Sequence, residues 1–315
     1  MQDDYGRNIN YLRLSITDAC NCRCIYCVDS NKQIKYENSK LLTLEELVNI
    51  GKIAIECGIN KIRITGGEPL LRQDLLRLCE RLKKIKGLEE LAITTNGSRL
   101  ANMAVELKAV GVDRLNISLD TLNADKFKLI TKIGDFDTVW SGINSVMKAG
   151  FTNTKINVVL MRGINDDEIV DFVNLTKDNP ISVRFIELMP IGPCRECHNE
   201  YFISSKEVYE KVPELTKLGQ DGVSELYKLR GALGTVGLIS PISACFCDTC
   251  NRLRVTADGR LLPCLHSDLE YNVSGLSDEE LTQIFQLAIK NKPKGHYISE
   301  NHASDNCLYM NKIGG

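Results

Sequence analysis

The chain switches between two hydrophobic periods. Short apolar and β-branched runs at 9–17, 61–65, 91–94, 113–119, 155–161 and 182–188 predict strands. The stretch 156–160 is nearly continuous in apolar character, as a strand covered on both faces is. Between the strands the period is helical. Thr43-Leu44-Glu45-Glu46 forms a capping box, and the helix it opens reaches Cys57 and stops at Gly58. Leu100, Met103, Ala104 and Leu107 recur at helical spacing before Gly111, and Asn165 is placed to cap a helix carrying Ile169, Phe172 and Val173. Six strands alternating with helices predict parallel βα units. Six are too few to close an eightfold barrel. The expected fold is therefore α/β, an open, incomplete (β/α)6 TIM-type barrel, preferred over a doubly wound sheet.

After Met189-Pro190 the rhythm breaks. Residues 191–202 read as a polar loop holding Cys194 and Cys197, followed by a short helix at 205–212 and short strands around Tyr227 and Val236. A cysteine-dense segment runs from Cys245 to Cys264. Ser277-Asp278-Glu279-Glu280 is a second capping box, opening a helix with Leu281, Ile284, Phe285 and Ala288 on one face. This divides the chain into 1–230, a partial barrel, and 231–315, a C-terminal extension with the later cysteines.

Composition narrows the function. Lys and Arg number 39 against 41 Asp and Glu in 315 residues, a near-balance that argues against a non-specific nucleic-acid or membrane binder. Neither a leader-like apolar segment nor a run of membrane-spanning length is found, so a cytoplasmic protein is expected. Thirteen cysteines are an odd count, and cytosolic thiols are kept reduced. Clustered thiolates in that setting point to zinc or iron–sulfur.

Cys20, Cys24 and Cys27 form C-x3-C-x2-C directly after the first strand. Three thiolates can hold three irons of a cubane and leave the fourth open to a small molecule. A structural zinc knuckle is the alternative, with Cys22 as an extra donor that is expected to point elsewhere. With Tyr26 before the last cysteine, the motif resembles that of the radical S-adenosylmethionine superfamily. Later strand ends carry Gly66-Gly67-Glu68-Pro69, Thr94-Thr95-Asn96-Gly97, Ser118-Leu119-Asp120 and Met189-Pro190, and Lys155 starts the fifth strand. Barrel active sites form where such loops converge. The paired glycines let a ligand approach the backbone closely, with free N–H groups to hold its partner group.

Cys247, Cys250 and Cys264 read C-x2-C-x13-C. On spacing alone a zinc ribbon, with Cys245 or His266 as fourth ligand, stands beside a second three-cysteine iron–sulfur site. Arg252 and Arg254, two and four residues past Cys250, share one face if the run is a strand. The opening Gly6-Arg7 to Ser15, the stretch Ile62 to Leu70, the run from Cys250 to Gly259 and the final Gly314-Gly315 resemble, within the superfamily, the cyclases that act on GTP in the first step of molybdenum-cofactor (molybdopterin) synthesis.

The resemblance implies two 4Fe–4S clusters and S-adenosylmethionine. Cys20, Cys24 and Cys27 match the ligands of the radical-generating cluster, and Cys247, Cys250 and Cys264 those of a second cluster whose open iron meets guanine. Tyr26, Gly67, Ser118 and Met189 match S-adenosylmethionine contacts. Arg13, Arg63, Thr94, Lys155, Arg252, Leu253 and Arg254 match GTP contacts. Arg13, Arg252, Arg254, Gly314 and Gly315 match catalytic positions, the terminal glycines by reaching into the site. The implied reaction begins with a 5′-deoxyadenosyl radical taking hydrogen from C3′ of GTP. The carbon radical then adds to C8 of guanine, and a reduction by one electron and one proton closes (8S)-3′,8-cyclo-7,8-dihydroguanosine 5′-triphosphate. Implied partners are an electron donor such as flavodoxin or ferredoxin, a downstream cyclic pyranopterin monophosphate synthase, and a second copy in a homodimer.

Two other readings compete: a radical maturase acting on a peptide, and a zinc-stabilised binding module without catalysis. The first would usually need an N-terminal docking domain, for which a motif starting at residue 20 leaves no room. Relatives commonly carry Arg-Cys-Asn-Leu-Arg-Cys where this chain has Ala19-Cys20-Asn21-Cys22-Arg23-Cys24, a change that spares the three ligand positions. Cys194-x2-Cys197-His198 matches a c-type haem attachment pattern, but a pair able to oxidise, or chance, is preferred.

Overall fold

Alternate residues of each strand have opposite fates, and this sets the architecture. The computed structural model describes residues 1–29, 41–296, 298, 304–306 and 308–314. In chain order the elements are β1 (Tyr11–Ser15), α1 (Leu44–Glu56), β2 (Lys61–Thr65), α2 (Leu75–Lys83), β3 (Glu90–Thr95), α3 (Leu100–Ala109) and β4 (Arg114–Ser118). Then come α4 (Ala124–Thr131), α5 (Phe136–Lys148), β5 (Lys155–Leu160), α6 (Ile169–Asp178) and β6 (Ser182–Glu187). The remainder is α7 (Cys194–Tyr201), α8 (Lys206–Lys211), β7 (Thr216–Asp221), β8 (Ser224–Lys228), β9 (Thr235–Ile239), β10 (Arg252–Val255), β11 (Arg260–Leu262), β12 (Tyr271–Asn272), α9 (Asp278–Lys290) and α10 (Met310–Ile313).

The strands form one sheet in the order β12-β11-β10-β1-β2-β3-β4-β5-β6-β9-β8-β7. The six expected strands are adjacent and parallel, and the order never returns on itself, so the barrel is open as expected. The C-terminal part widens it at both edges. β10 adds parallel to β1, and β9 adds parallel to β6. Antiparallel hairpins then finish each edge.

The outward residues Leu12, Leu14, Ile62, Ile64, Leu115, Ile117, Ile156, Val158, Val183 and Phe185 are fully buried in the main core. Burial of each stabilises by roughly 1.5–3 kcal/mol. The inward residues are mostly charged or polar, whereas a closed barrel fills its interior with branched apolar side chains. Thr43 caps α1 as expected: its hydroxyl accepts from the Glu46 amide, and Glu46 accepts from the Thr43 amide at 2.8 Å. Ser277 caps α9 in the same way.

Two local expectations are corrected. Residues 194–201 are helix α7, not loop, because Gly192-Pro193 sets its start and Cys194 and His198 face the interior at helical spacing. Asn165 does not cap α6. Its side chain instead donates to the carbonyls of Asp120 and Val159 and accepts from the Met161 amide, tying the β4 and β5 loops together.

Candidate active site

Cys20, Cys24 and Cys27 lie on the loop that leaves β1, and Tyr26 beside them donates to Asp120 at 2.6 Å. Asp120 also accepts from the Val159 amide at 2.8 Å. Burial raises its carboxyl to about 6. The expected separation of Cys22 from this group is not found. Cys22 is buried, lines the same cavity, and receives Asn96 Nδ2 at 3.4 Å. It also hydrogen-bonds Cys20 and Cys24. The Cys22 bond and burial hold Cys20 far above an ordinary thiol, and burial with the Cys20 charge pushes Cys27 to about 12.

The glycine turn behaves differently from expectation. The Gly67 amide donates to Thr17 O at 2.8 Å and the Glu68 amide to Ala19 O at 2.7 Å, so neither is free for a ligand. A Cβ on Gly66 or Gly67 would sit 2.3 Å from the Thr17 or Ala19 carbonyl oxygen. The glycines let the turn lie against the cysteine loop. Gly67→Ala is therefore expected to displace that loop, at a cost of about 1–3 kcal/mol. Iron bound by the first triad and the denaturation midpoint should both fall; unchanged values would refute the packing role. Buried Glu68, which sequence reasoning passed over, fixes the next loop by accepting from Leu70 N, Thr95 Oγ1 and Asn96 N.

Cys247 sits in a helical turn before β10, Cys250 lies two residues before β10, and Cys264 follows β11. The β10–β11 hairpin brings the last two together. Buried Arg7 pins Cys247 from below. It donates to the Cys247 carbonyl at 2.9 Å and the Pro293 carbonyl at 2.7 Å, and pairs with Asp3 at 2.6 Å. Burial would raise Cys250, but the charges of Lys292 and Arg252 bring it down to about 7.

Strand register builds a row of cations. Arg254, Arg13 and Arg63 are neighbours across β10, β1 and β2, and Arg114 follows beyond Ala92 of β3. Lys155, Arg184 and Arg252 face the same space. Arg114 has Glu90, while Lys155 and Arg184 share Asp221. Arg63 lies over Tyr11 and Arg252 over Phe246. Burial and neighbouring guanidinium charges lower Arg13, bring Arg254 and Arg184 to about 10, and bring Lys155 to about 8. Arg63 Nε, Arg114 Nε, Arg184 Nε, Arg252 Nη2 and Thr94 Oγ1 are buried without a hydrogen-bond partner. Each such group costs roughly 1–3 kcal/mol unless met by an acceptor. The chamber is built for a polyanion.

One cavity of about 390 Å³ is lined by both cysteine triads and by Arg13, Tyr26, Arg63, Gly67, Thr94, Ser118, Lys155, Met189, Arg252 and Arg254. Leu253 is the exception among the expected contacts: its side chain is fully buried in the core on the opposite face of β10, which leaves only its backbone toward the cavity side. Gly314 adopts φ +72°, packs on Thr65, and its carbonyl accepts from Arg254 at 2.8 Å. Gly315 and Cys307 lie outside the described residues. Arg114, Arg184, Lys292, Asn116 and Asp221 also line the cavity and were missed. For the strand residues among them the signal was available, since Arg114 and Arg184 hold the same inward parity as Lys155.

A profile described as the Radical SAM superfamily matches residues 14–176, and one described as Molybdenum Cofactor Synthesis C matches 181–298. A protein of Peptoclostridium acidaminophilum described as GTP 3′,8-cyclase is 49% identical over 99% of this chain and 98% of its own length. The chain belongs to the GTP 3′,8-cyclase family. A GTP 3′,8-cyclase of Alkaliphilus metalliredigens is 45% identical over the full length of both chains. Streptococcus suis SuiB bound to S-adenosylmethionine shares the fold, with TM-score 0.60 at 16% identity over 89% of this chain and 65% of that one.

Membership in the GTP 3′,8-cyclase family makes the chain a radical S-adenosylmethionine lyase of molybdenum-cofactor synthesis, a family that works with a 4Fe–4S cluster and S-adenosylmethionine. The donor sets fit clusters better than single ions. One tetrahedral zinc holds its sulfurs about 3.8 Å apart. Among the described residues neither triad gathers its three sulfurs within 4.8 Å of one another. His198, of the haem-like pattern, is buried and bonds the Leu188 carbonyl at 3.0 Å. No described helix is long and apolar enough to cross a membrane.

Proposed function

We propose that this chain converts GTP to the 3′,8-cyclised nucleotide, with S-adenosylmethionine at the first triad and guanine at the second. The reading is carried by one observation: both triads and the cation row open onto the same cavity. Cys20, Cys24 and Cys27 hold the first cluster with one iron left for S-adenosylmethionine. Bound there, the reduced cluster and S-adenosylmethionine supply the one-electron chemistry that yields a hydrogen-abstracting adenosyl radical.

The protein's part is placement and shielding. Tyr26 is fixed by Asp120 and, with Gly67, Ser118 and Met189, borders the S-adenosylmethionine space. Cys247, Cys250 and Cys264 hold a second 4Fe–4S cluster facing the base, in a pocket where Lys292 and Arg252 favour the Cys250 thiolate. Arg13, Arg63, Arg252, Arg254, Lys155 and Thr94 take the triphosphate, guanidinium forks matching phosphate oxygens. Arg254 also holds the Gly314 carbonyl and so keeps the C-terminal tail beside the nucleotide. An electron donor such as flavodoxin or ferredoxin, a downstream cyclic pyranopterin monophosphate synthase, a homodimer and a cytoplasmic location rest on the family resemblance alone.

Anaerobically reconstituted, reduced protein given S-adenosylmethionine and GTP is expected to yield 5′-deoxyadenosine and the cyclic nucleotide in matching amounts. If GTP has no effect while a peptide stimulates turnover, the substrate is wrong.

Lys155 gives a pH signature. Its lowered pKa of about 8 leaves it largely neutral at pH 9, and a bound triphosphate pulls the value back up. Nucleotide binding at pH 9 should therefore take up protons, and affinity should weaken as pH rises through 8. Calorimetry in buffers of different ionisation enthalpy measures the uptake, and Lys155→Met should remove that part of it. Identical uptake in the variant would exclude Lys155 from the phosphate site.

A further inference from the structure

The second triad has a neighbour that the proposed reaction does not use. Cys245 is exposed, two residues before Cys247, and its sulfur lies 3.6 Å from His296 Nε2. Among the described residues, Cys245, Cys247 and His296 form the single set of three potential ligand atoms that all lie within 4.8 Å of one another. A sulfur and an imidazole nitrogen bound to one tetrahedral zinc stand about 3.6 Å apart, given Zn–S near 2.3 Å and Zn–N near 2.0–2.1 Å. The set is held from several directions. The His296 backbone amide bonds the Cys247 sulfur, and the His266 ring packs edge-on against the His296 ring at 4.8 Å.

We propose that Cys245, Cys247 and His296 form a mononuclear site for a soft divalent cation of the zinc class, open to water at the fourth position. Filling this site withdraws Cys247 from the second triad. The two states are then mutually exclusive, and Cys245 decides between them. Binding is acid–base and redox-neutral. The two thiols release their protons to solvent, Nε2 gives up its 3.1 Å contact with the Pro241 carbonyl while its proton passes to Nδ1 as the other tautomer forms, and two metal–sulfur bonds and one metal–nitrogen bond result. The donor set of two thiolates and one imidazole is that of a zinc site rather than of a magnesium or calcium site. The site stands on geometry alone. The competition rests also on the reading of Cys247 as a cluster ligand.

The test uses the full-length, cluster-free chain under anaerobic conditions, with Co²⁺ as probe. One equivalent should give the visible bands of tetrahedral thiolate cobalt. Cys245→Ser should weaken that equivalent at least tenfold, while Cys250→Ser leaves it unchanged. Cys245 is exposed, so its replacement by serine is not expected to disturb folding. Indifference to Cys245→Ser, or loss of the same signal in Cys250→Ser, overturns the site. For the competition, chain preloaded with one Zn²⁺ and then reconstituted should hold about four irons, and Cys245→Ser treated the same way about eight. About eight irons in preloaded wild-type chain overturns the withdrawal of Cys247. Failure of the second-cluster reading looks different: about four irons in wild-type chain never exposed to zinc.

Discussion

Cys27→Ala is expected to reduce 5′-deoxyadenosine formation to background and to lower bound iron from about eight to about four per chain. The argument is one of ligand number. Cys27 is half-buried in the same short loop as Cys20 and Cys24, its amide donating to the Cys24 carbonyl at 2.9 Å, and replacing it leaves two ligands of the three that hold the first cluster. Cys194 is near as well, its sulfur 3.9 Å from the Tyr26 carbonyl, and among the described residues the other candidate to substitute is Cys22. It hydrogen-bonds both Cys20 and Cys24, which places it beside their corners rather than at the Cys27 corner. The second triad is supported by Arg7 and the β10–β11 hairpin, independently of this loop, so its iron should remain. Iron analysis with a product assay checks both halves. Retention of deoxyadenosine formation would mean that another thiol, Cys22 or Cys194, supplies the third ligand.

Arg252→Ala should have the next largest effect, a loss of roughly 10–100-fold in GTP affinity with uncoupled cleavage of S-adenosylmethionine nearly unchanged. A hydrogen bond to a charged group contributes about 1.5–3 kcal/mol, and the cavity shields this one from salt. Arg252 is held over the Phe246 ring, with its centre 5.2 Å from the ring centroid, and one of its terminal nitrogens is buried without a partner. It is thus poised for an anion before the anion arrives. Equilibrium binding of GTP and the rate of deoxyadenosine release without GTP separate the two effects. Equal loss of both would move Arg252 from the nucleotide to the cluster.

The barrel and its ligand loops were legible because their signals are local. Strand β2 has the bounds expected for it, and the capping boxes at Thr43 and Ser277 mark helices that exist. The cysteine spacings marked both triads, while their sharing of one chamber was implied by the family resemblance alone. What sequence did not convey was pairing between distant segments. Nothing local says that β10 lies beside β1, so the alignment of Arg254 with Arg13 and Arg63 was invisible. The same holds for Arg184 and Lys155 sharing Asp221 from a distant hairpin. Strand alternation separates Leu253, whose side chain joins the core, from Arg252 and Arg254, whose side chains line the cavity. The Gly66-Gly67 turn lines the cavity, but the amides of Gly67 and Glu68, read as free for a ligand, are taken by the Thr17 and Ala19 carbonyls. Cys22 was misjudged because a loop has no fixed period from which to infer direction.

The Arg7 clamp bears on the timing of biogenesis. Its acceptor at Cys247 lies 240 residues downstream. At synthesis rates of about 5–20 residues per second, the N-terminal segment waits roughly 10–50 s on the ribosome before that acceptor exists. During that interval β1 also lacks β10, and one flank of the first thiol loop stays open to water. Metal delivery is therefore expected to follow release of the finished polypeptide, so nascent chains stalled short of residue 247 should carry no iron–sulfur absorbance.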